Sequence, residues 1–186
     1  MKVGLLLAAG LSERFGPRNK LLEPLTGQPL ISHAAAVLRA LPLDQLIAVT
    51  ADREVDARLD GFEIIHNPWP ERGQGRSLAL GAEGAIHRGA ESVLVLLADM
   101  PFITRQHCQA VIDRCSDSAP SASLLDGRAM PPACFPRAML PLLAHHTGQV
   151  GARDLINRLP VSSLVPGDRH MLADIDTADD FQSYKD

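Results

Sequence analysis

The sequence predicts an α/β protein built on one doubly wound, mostly parallel sheet with helices on both faces, and three observations lead there. Short apolar runs at 3–8, 46–49, 62–65 and 93–97 alternate with segments of helical periodicity, which is the pattern of strand–helix–strand units. The first and last of these runs are apolar almost without interruption, as suits strands covered on both faces. The first run then empties into a loop bracketed by Gly10 and Gly16 and carrying Ser12, Arg14, Arg18 and Lys20, at the strand end where such sheets bind ligands.

Beyond that loop, residues 20–25 read as a short extended piece closed by the turn Thr26-Gly27-Gln28. Pro29 suits the first turn of a helix reaching about residue 41, in which Ile31, Ala34, Ala35, Leu38 and Leu41 recur at helical spacing before Pro42 stops it. Residues 52–59 form a short helix or turn between the second and third strands. From His66 the chain is too rich in Pro and Gly for regular structure, and Ser77 reads as the N-cap of the helix carrying Leu78, Leu80, Ala82, Ala85 and Ile86. The fourth strand ends at Ala98-Asp99-Met100-Pro101, where Pro101 keeps Met100 extended. A helix over 103–114 with Thr104 as N-cap follows, then a polar hinge at 116–123, a brief strand at 124–125, a helix at 137–145 and a final strand at 161–165. The adjacent His145 and His146 point to different sides and suit a helix end. Asp174 and Asp176 sit in an extended Asp-x-Asp, so alternation turns both carboxylates to one face. Thr177 caps a closing helix whose positive end is opposed by Asp179 and Asp180.

A chain of 186 residues, 46% hydrophobic and 22% charged, fits a single domain able to bury its own core. Its net charge of −4 argues against non-specific nucleic-acid binding. No stretch approaches the roughly 18 apolar residues of a membrane helix, and Met1-Lys2 leads straight into a strand, so a cytoplasmic protein is expected. Cys108, Cys115 and Cys134 form no Cys-x-x-Cys and read as reduced thiols.

Two readings of the first loop compete: an ordinary strand-to-helix turn with solvated charges, or a cradle whose N–H groups and cations hold phosphates. It is not a P-loop, because Gly16 is followed by Pro17-Arg18, and the dinucleotide fingerprint fails because Leu11-Ser12 follows Gly10. Asp99 is likewise open between a turn former and a ligand for a hard cation, which prefers carboxylate oxygen.

The stretch Leu7-Ala8-Ala9-Gly10-Leu11-Ser12-Glu13-Arg14-Phe15-Gly16-Pro17-Arg18-Asn19-Lys20-Leu21-Leu22 resembles the signature Leu-Ala-Ala-Gly-x-Ser-x-Arg-Met-Gly-x-x-Asn-Lys-Leu-Leu of MobA-like nucleotidyltransferases, with Phe15 for Met. The likeness runs from Leu5 to Phe181. Asn67-Pro68 with Gly73-Gln74 and Ser77-Leu78 is similar to the family's base and ribose loop, Gln74 replacing Met. Asp99-Met100-Pro101 matches its Asp-Met-Pro. Pro132 to Phe135 and Gly148 to Arg153 resemble its acceptor-side segments, with Met130 for His and Gln149 for Asp. Ala8-Ala9 and Asn19-Lys20 look like the molybdenum cofactor cytidylyltransferase (MocA-type) branch.

The resemblance implies a Rossmann-like fold with a nucleotide half at about 1–102 and an acceptor half at about 103–186. It implies Mg²⁺-dependent transfer of CMP from CTP, rather than GMP from GTP, to a molybdopterin-type phosphate with release of pyrophosphate. Leu7, Ala8, Ala9, Gly10, Ser12, Arg14, Lys20, Asn67, Gly75, Ser77 and Asp99 would bind the nucleotide, with Arg14, Lys20 and Asp99 catalytic. Asp99 and Asp174 would hold the metal, Asp176 standing in reserve. Met100, Pro101, Pro132, Phe135, Gly151, Arg153 and Asp176 would face the acceptor. A molybdoenzyme or its maturation chaperone is the partner so implied; nucleic acid and membrane are not. The alternatives are GTP, a sugar or polyol phosphate acceptor, or a non-catalytic cofactor-binding partner of a molybdoenzyme.

Overall fold

The computed structural model describes residues 1–12, 14–16, 18–145 and 153–184. Its frame is a seven-stranded sheet of β1 (Lys2–Ala8), β4 (Gln45–Thr50), β5 (Glu63–His66), β6 (Ser92–Leu97), β7 (Ser121–Leu125), β8 (Arg128–Pro136) and β9 (Leu164–Pro166) in the order β5-β4-β1-β6-β8-β7-β9. All but β8 run the same way, β8 pairing antiparallel with both β6 and β7. β1 lies inside the sheet between β4 and β6, and its alternation sends Val3, Leu5 and Leu7 to one face and Leu6 and Ala8 to the other. The first set packs under helices α3 (Gln74–His87), α5 (Leu140–Ala144) and α6 (Arg153–Ile156). The second packs under α1 (Leu30–Arg39), α4 (Arg105–Arg114) and α7 (Ala178–Ser183). The expected doubly wound sheet with helices on both faces is what forms.

Chain order reverses at β1, since β4 and β5 add on one side and β6 on the other, which opens a crevice beyond the carboxyl ends of β1 and β6. One glycine sets how closely that crevice is walled: a Cβ on Gly81 of α3 would come within 2.5 Å of Leu5, so its absence lets α3 lie against β1.

Local expectations fail where tertiary pairing outweighs local signals. Residues 20–25 are a 3-10 turn (Lys20–Leu22) followed by β2 (Pro24–Leu25), which pairs with β3 (Gln28–Pro29) across Thr26 and Gly27, both at positive φ. The stretch at 116–123 is not a hinge throughout, because β7 starts at Ser121. The proline-rich segment at 128–136 is a strand because Pro131 and Pro132 fall at a register shift: β6 pairs with 133–136 and β7 with 128–130 and 133–134, so neither ladder needs an N–H from them. The helix expected at 137–145 divides into a 3-10 turn (Arg137–Met139) and α5. The final strand is β9, after a 3-10 turn at Val161–Ser163. All three cysteines are free thiols, Cys108 and Cys134 buried. His145, just past α5, donates from Nδ1 to the Pro141 carbonyl at 2.7 Å, whereas His146 and Gln149 lie outside the described residues.

Candidate active site

The loop leaving β1 is folded on itself by Ser12, whose φ is 55°. Its carbonyl accepts from Phe15 N at 2.8 Å, and its Oγ accepts from Lys20 N at 3.3 Å. Asn19 caps the 3-10 turn that follows, Oδ1 accepting from Leu21 N at 3.1 Å. That turn drives the Lys20 side chain inward, leaving the residue only 7% exposed.

Three segments meet on the Lys20 ammonium. Nζ donates to Asp99 Oδ2 at 2.8 Å, to the Ile175 carbonyl at 2.7 Å and to Asp176 Oδ1 at 3.2 Å. Ile175 N in turn donates to the Asp99 carbonyl at 2.9 Å, tying the tail to the end of β6. Burial pulls the Lys20 pKa down, but the charges of Asp99 and Asp176 and their hydrogen bonds more than offset it, so the group is held above its ordinary value. The second oxygen of Asp176 pairs at 2.8 Å with Arg14, which is otherwise open to solvent. Asp174 lies on the exposed edge of the same cluster. The protein packed around its carboxyl and the nearby charges of Asp99 and Asp176 push its pKa up.

The facing wall comes from the stretch after β5. Asn67 is completely buried; its Nδ2 donates to Ser77 Oγ at 3.0 Å and its Oδ1 accepts from Trp69 N at 3.0 Å. Ser77 is therefore not the N-cap that its position suggests: α3 begins at Gln74 after Gly73, whose φ of 87° turns the chain into the helix. Ser77 lies one turn inside, where it takes a hydrogen bond from Asn67 instead of capping free N–H groups. Between the walls is a cleft of about 380 Å³.

Leu7, Ala8, Ala9, Gly10, Ser12, Arg14, Lys20, Ser77, Asp99 and Asp176 all line this cleft, so the fold brings together the glycine loop, the end of β6 and the tail. Asn67 and Gly75 are buried behind its wall. Asp174 borders the cluster without lining the cleft. The acceptor-side expectation gathers less well. Met100, Pro101, Pro132 and Phe135 are buried, because β8 is an interior strand and the turn after β6 packs inward. Arg153 is exposed at the start of α6, and Gly151 lies outside the described residues. Sequence reasoning missed Glu71, which lines the cleft as Gln74 does, and Asp52, which binds Asn19. Asp52 carried a signal, being a carboxylate just past a buried strand, as Asp99 is.

A divalent cation fits the acidic side of the cleft. Asp99 Oδ1 is buried with no hydrogen-bond partner among the described residues, an acceptor able to take a cation or a donor from a ligand. The nearby donors are carboxylate oxygens, the chemistry of a hard ion. Among the described residues no group of three or more His, Cys, Asp or Glu is assembled to hold a metal by itself, so substrate oxygens would complete the coordination.

The sequence profile of the MobA-like NTP transferase domain matches residues 4–163. The purine catabolism protein PucB of Bacillus subtilis (strain 168) is 30% identical over 195 residues, 96% of this chain and 93% of that protein. A molybdenum cofactor guanylyltransferase of Pseudomonas entomophila (strain L48) is 28% identical over 171 residues, 86% of this chain and 85% of that protein. Among solved structures, Rv0371c from Mycobacterium tuberculosis H37Rv has a TM-score of 0.81 at 24% identity, over 98% of this chain and 96% of that one. Its complex with manganese has a TM-score of 0.76 at 23% identity, over 99% and 97%. At these identities the structural likeness is one of fold.

Proposed function

The chain is a nucleotidyltransferase of the MobA-like NTP transferase family, and from that premise we propose that it transfers CMP from CTP to the phosphate of a molybdopterin-type cofactor, releasing pyrophosphate. The observation that carries the reading is the Lys20 junction: one buried ammonium held by Asp99 and Asp176 at the root of a glycine loop. Triphosphate and acceptor phosphate are both anionic, so a site joining them needs fixed positive charge between them and N–H groups around them.

An acceptor phosphate oxygen attacks the α-phosphorus, a new P–O bond forms, and the bond to the bridging oxygen of pyrophosphate breaks. The N–H groups of residues 10–12 and the Arg14 guanidinium take the β- and γ-phosphates and the charge that develops on the leaving group. Lys20 lies between the α-phosphate and the acceptor phosphate and lowers their repulsion. No general base is required, since a phosphate monoester is already ionised near neutral pH. Asp99, with Asp174 or Asp176, would hold Mg²⁺, which when bound neutralises phosphate charge. Residues up to about 102 form the nucleotide half and those from about 103 the acceptor half.

The acceptor is supported by the relative named for the molybdenum cofactor, and CTP by Ala8-Ala9 and Asn19-Lys20. That relative is named for guanylyl transfer, so the base is the arm to test. Purified protein with Mg²⁺ and molybdopterin should release pyrophosphate with CTP and much less with GTP. Preference for GTP refutes the CTP assignment, and release only with a sugar or polyol phosphate refutes the acceptor. CTP binding without any pyrophosphate release supports a non-catalytic partner of a molybdoenzyme.

A further inference from the structure

Lys20 is carried by a single 3-10 turn, Lys20–Leu22. One such turn closes too few hydrogen bonds to hold itself, so whatever aims Lys20 lies outside it. The chain of contacts can be followed. Asn19 Oδ1 accepts from Leu21 N at 3.1 Å, while its Nδ2 donates at 2.9 Å to Asp52 Oδ2, a residue 33 positions further on. Asp52 is itself held, because its Oδ1 accepts from Glu54 N at 2.8 Å and caps α2 (Arg53–Asp56). It stands just past β4, which pairs in register with β1, the strand that bears the glycine loop.

An ionised carboxylate can only accept hydrogen bonds. Asp52 therefore admits the Asn19 amide in one orientation, NH₂ towards itself and carbonyl towards Leu21 N–H. Turned over, the amide would set oxygen against carboxylate and NH₂ against N–H, and the turn would lose its cap. Asp52 does not line the cleft that holds Lys20, although it lines the adjoining pocket, which shares Ala8, Gly10, Leu11 and Pro70 with that cleft. We propose that Asp52 is a positioning residue for nucleotidyl transfer, fixing the orientation of Asn19 and thereby the turn that aims Lys20. The inference rests on the role given to Lys20 above.

Asp52→Asn tests it with almost no change in size. The new amide can donate as well as accept, so it tolerates both orientations of Asn19. The expected result is a fall in kcat of about tenfold to a hundredfold, the scale on which small misplacements act, with KM for the nucleotide little changed. All variants are assayed at a temperature at which thermal melts show them folded. If Asp52 acts through Asn19, the double variant Asn19→Ala with Asp52→Asn is no slower than Asn19→Ala alone, because the route is already cut. A merely structural Asp52 gives losses that multiply, and multiplying losses overturn the proposal. Wild-type kcat in Asp52→Asn, beside an inactive Lys20→Ala, overturns it too and leaves the role of Lys20 standing. An active Lys20→Ala removes that role and the proposal with it.

Discussion

Replacing Lys20 by alanine separates a catalytic ammonium from a structural strut. Its Nζ lies 2.8 Å from Asp99 and 3.2 Å from Asp176. At an effective dielectric of about 20, unit charges so placed attract by roughly 5–6 kcal/mol per pair, and desolvation of the ions cancels most of it. Breaking a fully buried pair costs about 3–5 kcal/mol, because the surviving charge is left alone. Here the carboxylate side chains keep 20% and 30% of their exposure, so about 2 kcal/mol is the better figure. For a chain of this size that is a fall of about 4–8 °C in Tm. The Lys20 pKa is raised above 10.5. Its contribution is therefore fully present below 10.5 and lost as pH rises through the folded value, so the lysine's share of the difference from wild type holds from neutral pH upward and closes only in strong alkali. Turnover, measured as Mg²⁺-dependent pyrophosphate release well below both melting temperatures, should fall by about 10²–10³ or more. A variant with the lower Tm but kcat within a few-fold of wild type would refute the catalytic reading and leave a strut.

Three further outcomes follow from the same geometry. Asp174→Asn should raise Tm slightly at neutral pH, by less than about 1 kcal/mol, or about 2–4 °C at most, after screening by solvent, while lowering activity if Asp174 holds the metal. Its raised pKa means the penalty it carries is present at neutral pH and fades as pH falls through the folded value towards 3.8, so melts of variant and wild type should converge in acid. A constant difference across that range would contradict the account. Gly81→Ala drives a Cβ to 2.5 Å from the methyl groups of Leu5, a side chain with no exposed surface. Overpacking of this kind costs about 1–3 kcal/mol, and thermal unfolding should show it. Thr177 Oγ1 accepts from Asp180 N at 3.1 Å while Asp180 Oδ2 accepts from Thr177 N at 2.8 Å. Losing this reciprocal cap in Thr177→Ala should cost about 1 kcal/mol, read by chemical denaturation. Hydrogen bonds from Thr177 lower the Asp180 pKa, so its part of that stability is present above 3.8 and lost as pH falls through the lower folded value.

Much of this protein was legible in one dimension, for a common reason: the signals are local. The apolar runs that become β1 and β6, the helical spacing in α1, and the caps at Thr104 and Thr177 each depend on a few neighbours in the chain. So do the glycines and cations of the first loop and the carboxylate after β6, which is why Lys20, Asp99 and the Asp-x-Asp of the tail could be named as candidates. What depends on partners far along the chain could not be read that way. Ser77 looks like a cap until Asn67, ten positions earlier, is seen to take it. The prolines of β8 argue against a strand until the register shift against β7 is seen to leave Pro131 and Pro132 out of both ladders. Whether Asp174 or Asp176 meets Lys20 is likewise beyond alternation, which puts both on one face; the reach of a side chain carried by another segment decides it, and Asp176 is the one bonded. Asp52 shows itself in the sequence only as a carboxylate past a buried strand; that it serves Asn19 depends on a contact 33 positions away. Sequence determines conformational preference residue by residue, whereas which groups come within hydrogen-bond distance is set by strand order and helix docking, collective outcomes of burying one continuous core.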